Sequence, residues 1–247
     1  MRSVRVGGLG DGRAVSDTLG FVLVFGIIVS TVAVVYVGGF DALTSARDAQ
    51  QFENTERAFE VLDANVEDLA VRGAPSRTTE LSLTDGRLGF GEEVTFNVST
   101  ADSGYYEATI RPLVYRADDG DRIVFSNGAL FRQYGENAVL FGEPRVTAGD
   151  RTLVPLVDTR AASSGVSTDD TRRVLVQTEV DTRDVSRFRA ATNLTVESPR
   201  AAAWEQYLTE DVGATCEGPS DGRTGEVECA LGDDVYVQAV SVGVELS

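Results

Sequence analysis

No charged residue occurs between Thr18 and Phe40. A run of about 23 residues makes a helix of ~35 Å, enough to cross a hydrocarbon core of ~30 Å. Its bulk is Leu, Val, Ile and Phe, from Leu19 through Tyr36. The competing reading is a core helix of a soluble domain, but such helices rarely stay free of charge for so long. The segment therefore reads as one transmembrane helix, residues 15–40. Gly26 and Ser30 within it form a small-xxx-small pair of the kind that lets helices approach closely.

The flanks orient the span. Residues 1–14 carry Arg2, Arg5 and Arg13 against Asp11, whereas the remainder keeps 19 Arg against 38 acids, out of 22 and 39 in all. This bias places the N-terminus in the cytoplasm and the bulk of the chain outside. A cleaved secretory signal is the rival reading. Its apolar region runs only ~7–15 residues and ends at a small-x-small site. Here the run is longer and passes without a break into a second helical pattern.

No Pro interrupts residues 15–72. Beyond Asp41 the composition turns polar, yet Phe52, Phe59, Leu62, Val66 and Leu69 recur at helical spacing, with Ala49 and Ala58 beside them. Glu53, Glu56, Arg57, Glu60 and Glu67 fall mostly on the other side. Ser16 is the expected N-cap and Asp17 a first-turn anion, while Gly73 and Pro75 supply the stop. The expectation is a single helix of about 57 residues, ~85 Å long. Gly38-Gly39 is a candidate bend, and residues 41–73 form an amphipathic extension whose apolar stripe needs a partner.

That partner is the rest of the chain, residues 74–247. Val94, Phe96 and Val98 alternate with polar residues at a period of two. Further strands are expected at residues 105–116, 122–126, 129–134, 153–158, 173–181, 192–197 and 235–246. Asp85-Gly86, Asp119-Gly120, Asn127-Gly128, Gly149-Asp150 and Asp221-Gly222 mark turns between them. Residues 161–170 read as a flexible loop, and residues 201–208, with Trp204 and Tyr207, as a short helix. The expected fold class is α+β: one long N-terminal helix packed on a mainly antiparallel β domain.

Composition excludes much chemistry. There is no His, so no Ser-His-Asp triad and no His-ligated zinc helix. Every one of the 22 basic residues is Arg, which removes a Walker A loop and a pyridoxal Schiff base. The net charge of −17 argues against a nucleic-acid partner. It also suits molar salt, where the Debye length falls to ~3 Å and self-repulsion fades. A halophilic source is expected, with partial unfolding in dilute buffer. No cofactor fingerprint or nucleophile motif is present, and the chain reads as a non-enzyme.

The order of basic leader, apolar helix, amphipathic continuation and β domain resembles type IV pilins and their archaeal relatives. The segment Arg13-Ala14-Val15-Ser16-Asp17-Thr18-Leu19-Gly20-Phe21 carries the likeness. The chain resembles more closely a family of pilin-like, membrane-anchored haloarchaeal proteins. The matching stretches are Arg13 to Phe21, Glu56-Arg57-Ala58-Phe59, Gly73-Ala74-Pro75-Ser76-Arg77 and Ser126-Asn127-Gly128-Ala129-Leu130-Phe131-Arg132. The resemblance implies a prepilin-peptidase-like enzyme cutting between Ala14 and Val15. It implies a subunit or accessory subunit of a pilus-like surface assembly, in contact with other pilin-like subunits through the N-terminal helix. The bacterial pattern has Glu at the fifth mature position. Here that position is Leu19, and Asp17 is the candidate subunit contact. A cut between Gly20 and Phe21, or no cut at all in a single-pass envelope binding protein, remain alternatives.

Cys216 and Cys229 form an even pair outside the membrane and read as a disulfide, with two free thiols as the alternative. Asn97-Val98-Ser99 and Asn193-Leu194-Thr195 are glycosylation sequons, each Asn on the expected exposed phase of a strand. Asp118-Asp119-Gly120-Asp121, Asp169-Asp170 and Asp233-Asp234 read as solvated acidic turns, and Gly7 to Gly12 as part of a flexible leader.

Overall fold

The computed structural model describes residues 12–83, 86–100, 105–163, 165–168, 172–218 and 225–247; the side chains of residues 12–18 and of Asp41 lie outside this set. The chain divides into two compact units, residues 1–51 and 52–247. One helix, α1 (Gly12–Ala70), contributes to both.

In the first unit α1 continues unbroken through Gly38-Gly39. Thr31 and Thr44 donate their hydroxyls to the carbonyls of Ile27 and Phe40, at 2.8 and 3.1 Å, which satisfies them within the helix. Every described side chain from 19 to 50 is exposed, Ala49 included. The helix starts at Gly12 rather than near Val15, so Ser16 lies inside it and is not its N-cap. No Gly or Pro stands between Arg13 and Leu19, and nothing stops the helix propagating back to Gly12. The boundary at residue 14 is therefore not a break in the backbone structure.

The second unit holds three sheets. The first has the order β1 (Ser76–Leu83), β11 (Arg172–Phe188), β15 (Val235–Leu246), β9 (Thr152–Ala161). The second runs β10 (Val166–Thr168), β2 (Gly86–Phe90), β5 (Leu113–Ala117), β6 (Arg122–Ser126), β7 (Ala129–Tyr134), β8 (Asn137–Gly142). The third runs β13 (Thr215–Glu217), β14 (Gly225–Gly232), β12 (Thr192–Ser198), β3 (Val94–Thr100), β4 (Tyr105–Ile110). Among these pairings only β15 with β9 is parallel. A helix, α2 (Ala201–Glu210), follows β12.

Two hydrophobic cores lie on the two faces of the second sheet. Leu113, Tyr115, Ile123, Phe125 and Leu130 face one, together with Phe59, Leu62, Val66 and Leu69 of α1 and the inner side chains of β1 and β11. Val114, Val124, Ala129 and Phe131 face the other, with β3, β12, β14 and Trp204, Tyr207 and Leu208 of α2. The strand β15 serves both cores. Val235, Val237 and Ala239 enter the second, and Val240, Val242, Val244 and Leu246 the first. Alternate side chains of a strand point to opposite faces, and here each face is covered along a different half.

Strands β6, β7 and β15 have the bounds expected from the sequence, and α2 falls where a short helix is expected. Residues 105–116 do not form one strand: they split into β4 and β5, in different sheets, at Arg111-Pro112. Pro lacks the N–H that a continuous ladder requires. Residues 161–170 are not simply a loop, because Val166–Thr168 pairs with β2 as β10. Gly165 permits this approach, since a Cβ there would meet the Leu88 carbonyl oxygen at 2.8 Å.

Candidate functional site

The span and the start of the β domain are two lengths of one helix. Over an 18-residue stretch α1 reaches a mean hydropathy of 2.6 with none of that stretch buried. Phe21, Val34 and Tyr36 are each more than 70 % exposed. By length and composition this is a candidate membrane span. Gly26 faces open space, with nothing within 4 Å of a Cβ built on it.

In the second unit, α1 is held by its apolar stripe and by ion pairs beside it. Phe52 meets the rings of Tyr115 and Tyr134 at 6.4 and 6.5 Å. Glu56, expected on the solvent side, is buried. Its two carboxylate oxygens accept from Nε and a terminal nitrogen of Arg132 on β7, each at 2.5 Å. Such two-point pairs fix orientation as well as adding energy. Two helical turns on from Glu56, Arg145 lies 3.3 Å from Asp63, and it is 2.8 Å from Glu67. Burial pushes the Asp63 carboxyl up to about 6, against the pull of Arg145.

The end of α1 is capped by side chains from the sheets. Arg183 of β11 donates to the carbonyls of Leu69 and Ala74, and Gln238 of β15 to that of Ala70. The bonds to Leu69 and Ala70 occupy carbonyls that a helix end leaves without intrahelical partners. Gly73 takes φ +79° and the Ala74 N–H donates to the Asp68 carbonyl. Asp68 in turn pairs with Arg72 and Arg77, whose guanidiniums hold its carboxyl below the usual range.

The Asn127-Gly128 turn between β6 and β7 sits against this junction. Both residues have positive φ, +53° and +72°, the pair of values a tight two-residue hairpin needs. A Cβ on Gly128 would lie 3.9 Å from Asp63 Oδ1. The Asn127 side-chain oxygen accepts the buried Val157 N–H at 2.8 Å, tying the hairpin to β9. Two stretches that carry the sequence resemblance, around Glu56 and Ser126–Arg132, are thus joined here.

Residues 13–245 match the model of a family of unknown function, DUF7289. The chain belongs to the DUF7289 family. No curated protein and no solved structure matches it significantly. The matched region takes in the whole described β domain except its last residues and nearly all of α1.

Of the residues expected to act, Arg13, Ala14, Val15 and Asp17 lie in the α1 backbone, and their side chains are outside the described residues. Cys216 and Cys229 are joined as a disulfide, directly opposite each other on β13 and β14. Cys229 is fully buried, so the bridge ties an edge strand to the second core. The two sequons are neighbours across the ladder: Asn97 faces Thr195 and Asn193 faces Ser99. Neither Asn is fully exposed, contrary to expectation. They stand on two adjacent interior strands of their sheet, β3 and β12, and their amides donate to Glu107 and Glu228. Asp234 is held by Arg187 through two bonds of 2.7 Å. Asp119 accepts the Asp121 N–H within its turn. Asp169 and Asp170, and residues 7–11 of the leader, fall outside the described residues.

A polar cavity of about 480 Å³ separates β4 from β9. The strands meet at one end, where the Arg111 N–H donates to the Thr159 carbonyl at 3.2 Å. Tyr106 lines it, its hydroxyl pushed up by burial and by Asp184 and Asp158. The acids Glu93 and Asp158 are paired there with Arg111 and Arg160. The sequence shows Arg132 at the end of the Ser126–Arg132 stretch but not its partner, and gives no signal of the roles of Arg145 and Arg183, because the helix each one holds is distant in the chain.

Proposed function

We propose that this DUF7289 chain is a pilin-like cell-surface protein of a salt-adapted archaeon, a subunit or accessory subunit of a type IV pilus-like assembly. The observation that carries this reading is the single helix Gly12–Ala70. Its charge-free, exposed stretch suits lipid or the apolar flank of a neighbouring helix, while residues 59–69 belong to the core of a folded domain. Glu56–Arg132, Arg145 and the capped helix end hold the second length of this helix on its domain. The N-terminus is cytoplasmic and the β domain extracellular in this reading, supported by the leader's Arg bias and by a disulfide that suits an oxidising exterior. A prepilin-peptidase-like enzyme removes the leader between Ala14 and Val15, leaving Asp17 near the new terminus as a subunit contact. Asn97 and Asn193 are its candidate glycan sites.

A second reading is an uncleaved, single-pass envelope binding protein. The helix start at Gly12 favours it, because the Ala14–Val15 bond then lies inside a helical turn that a peptidase must first unwind. Intact mass and N-terminal sequence of the protein from its native membranes separate the two. A start at Val15 is expected for the pilin-like reading. An intact leader overturns it and leaves the static anchor.

A further inference from the structure

A buried arginine with no acid in ion-pairing distance among the described residues carries an uncompensated charge. Arg200 is such a residue. It is 7 % exposed, and its Nε is buried with no hydrogen-bond partner. Among the described residues, the one side-chain bond it makes is a long 3.4 Å contact to Gln133 Oε1. The Gln133 amide is itself fixed by donating to the Gly135 carbonyl at 2.9 Å.

The surroundings make matters worse for a cation. Arg200 is the N-cap residue of α2, at the positive end of that helix, and no side chain caps the helix there. Arg122, opposite Gln133 in the β6–β7 ladder, adds like charge, and Arg122 forms no ion pair among the described residues. The acid that acts on Arg200 is the exposed Glu92, which is not within ion-pairing distance. The ring of Phe131, 5.8 Å from the guanidinium carbon, offers a weak compensation. A buried charge without a partner is strongly unfavourable.

We infer that Arg200 and Arg122 form a binding site for one small monovalent anion, a halide or a carboxylate group. Two guanidiniums and Glu92 leave a single positive charge, which a monovalent ion neutralises and a multivalent one overshoots. The orphaned Arg200 Nε supplies a directed donor. The burial of the guanidinium restricts the site to a small ion. The sole tryptophan, Trp204, packs on the other contact of Phe131, with ring centroids 5.6 Å apart. An ion held by Arg200 is therefore one aromatic ring away from the chain's only indole.

The test uses the full-length, disulfide-bonded protein in detergent, titrated with sodium bromide while sodium sulfate holds the ionic strength constant. Trp204 emission and melting temperature are followed together. The site requires a saturating change in both, with melting rising as ligand linkage demands. Competition by chloride identifies a free halide site, and competition by acetate a site open to carboxylates; either supports the inference. Arg122→Gln, at a partly exposed position, should weaken the apparent affinity by about tenfold, the scale of a lost charged hydrogen-bonding partner. Arg200→Met should abolish saturation. A response that stays linear in bromide, or that saturates equally in Arg122→Gln and Arg200→Met, overturns the inference. Should Arg200→Met fail to fold, the Arg122→Gln shift decides.

Discussion

Arg132 on β7 grips Glu56 on α1 through two nitrogens, each 2.5 Å from a carboxylate oxygen, across 76 positions of sequence. Glu56 is nearly covered while Arg132 keeps 39 % of its side chain exposed. Removing one partner strands the other. Glu56→Gln is expected to destabilise the β domain by about 1–3 kcal/mol, below the full cost of breaking a buried pair because solvent screens Arg132. The double variant Glu56→Met/Arg132→Leu should lose less than the two single losses added. Denaturant melts of all variants in one salt check this.

Asp63 gives the domain a pH dependence of a defined sign. Its folded-state value is raised from 3.8 to about 6 by burial. The folded protein therefore holds this proton more tightly than the unfolded chain. The contribution is fully present below pH 3.8 and is lost as pH rises through 6. Asp63→Asn removes the cost of ionising a buried carboxylate. It should stabilise the protein by about 2 kcal/mol at pH 7.5 and by almost nothing at pH 3.5. Equal shifts at both pH values would contradict the burial argument.

Reducing the Cys216–Cys229 bridge frees a loop whose ends are 13 positions apart. Stability should fall by ~3 kcal/mol on the chain-entropy account. Because β13 is an edge strand held by β14, proteolysis under reducing conditions should begin at Thr215–Glu217. Peptide mapping after brief protease exposure reads the site directly.

Asn127 combines a left-handed backbone with a buried bond to the Val157 N–H. Asn127→Gly keeps the conformation and loses the bond, at about 1–3 kcal/mol. Asn127→Ala loses both and should cost ~1 kcal/mol more. If the two variants melt together, the backbone strain assigned to this turn is absent.

Much of this architecture can be read in the sequence because its signals are local. The charge-free run, the stripe of Phe59, Leu62, Val66 and Leu69, the Asn127-Gly128 turn and the alternation in β15 each need only neighbouring residues. Glu56 could not be placed, because a Glu on an amphipathic helix reads as solvent-facing until the distant Arg132 is known. The second sheet hides its period for a different reason. Ile123, Val124 and Phe125 are all buried, since cores cover both its faces, and alternation disappears. The two sequons look like independent surface sites, yet the register makes them partners. Arg200 gives no signal at all, because its peculiarity is to be buried with no ion-pair partner among the described residues.

The strand β15 belongs to both cores, and every other strand of the domain precedes it in the chain. During synthesis neither core can close before this segment leaves the ribosome. The apolar stretch of α1 emerges much earlier. The long helix is thus complete in the chain well before either core can close. The fold imposes an order of events during synthesis: helix first, cores last, and both together.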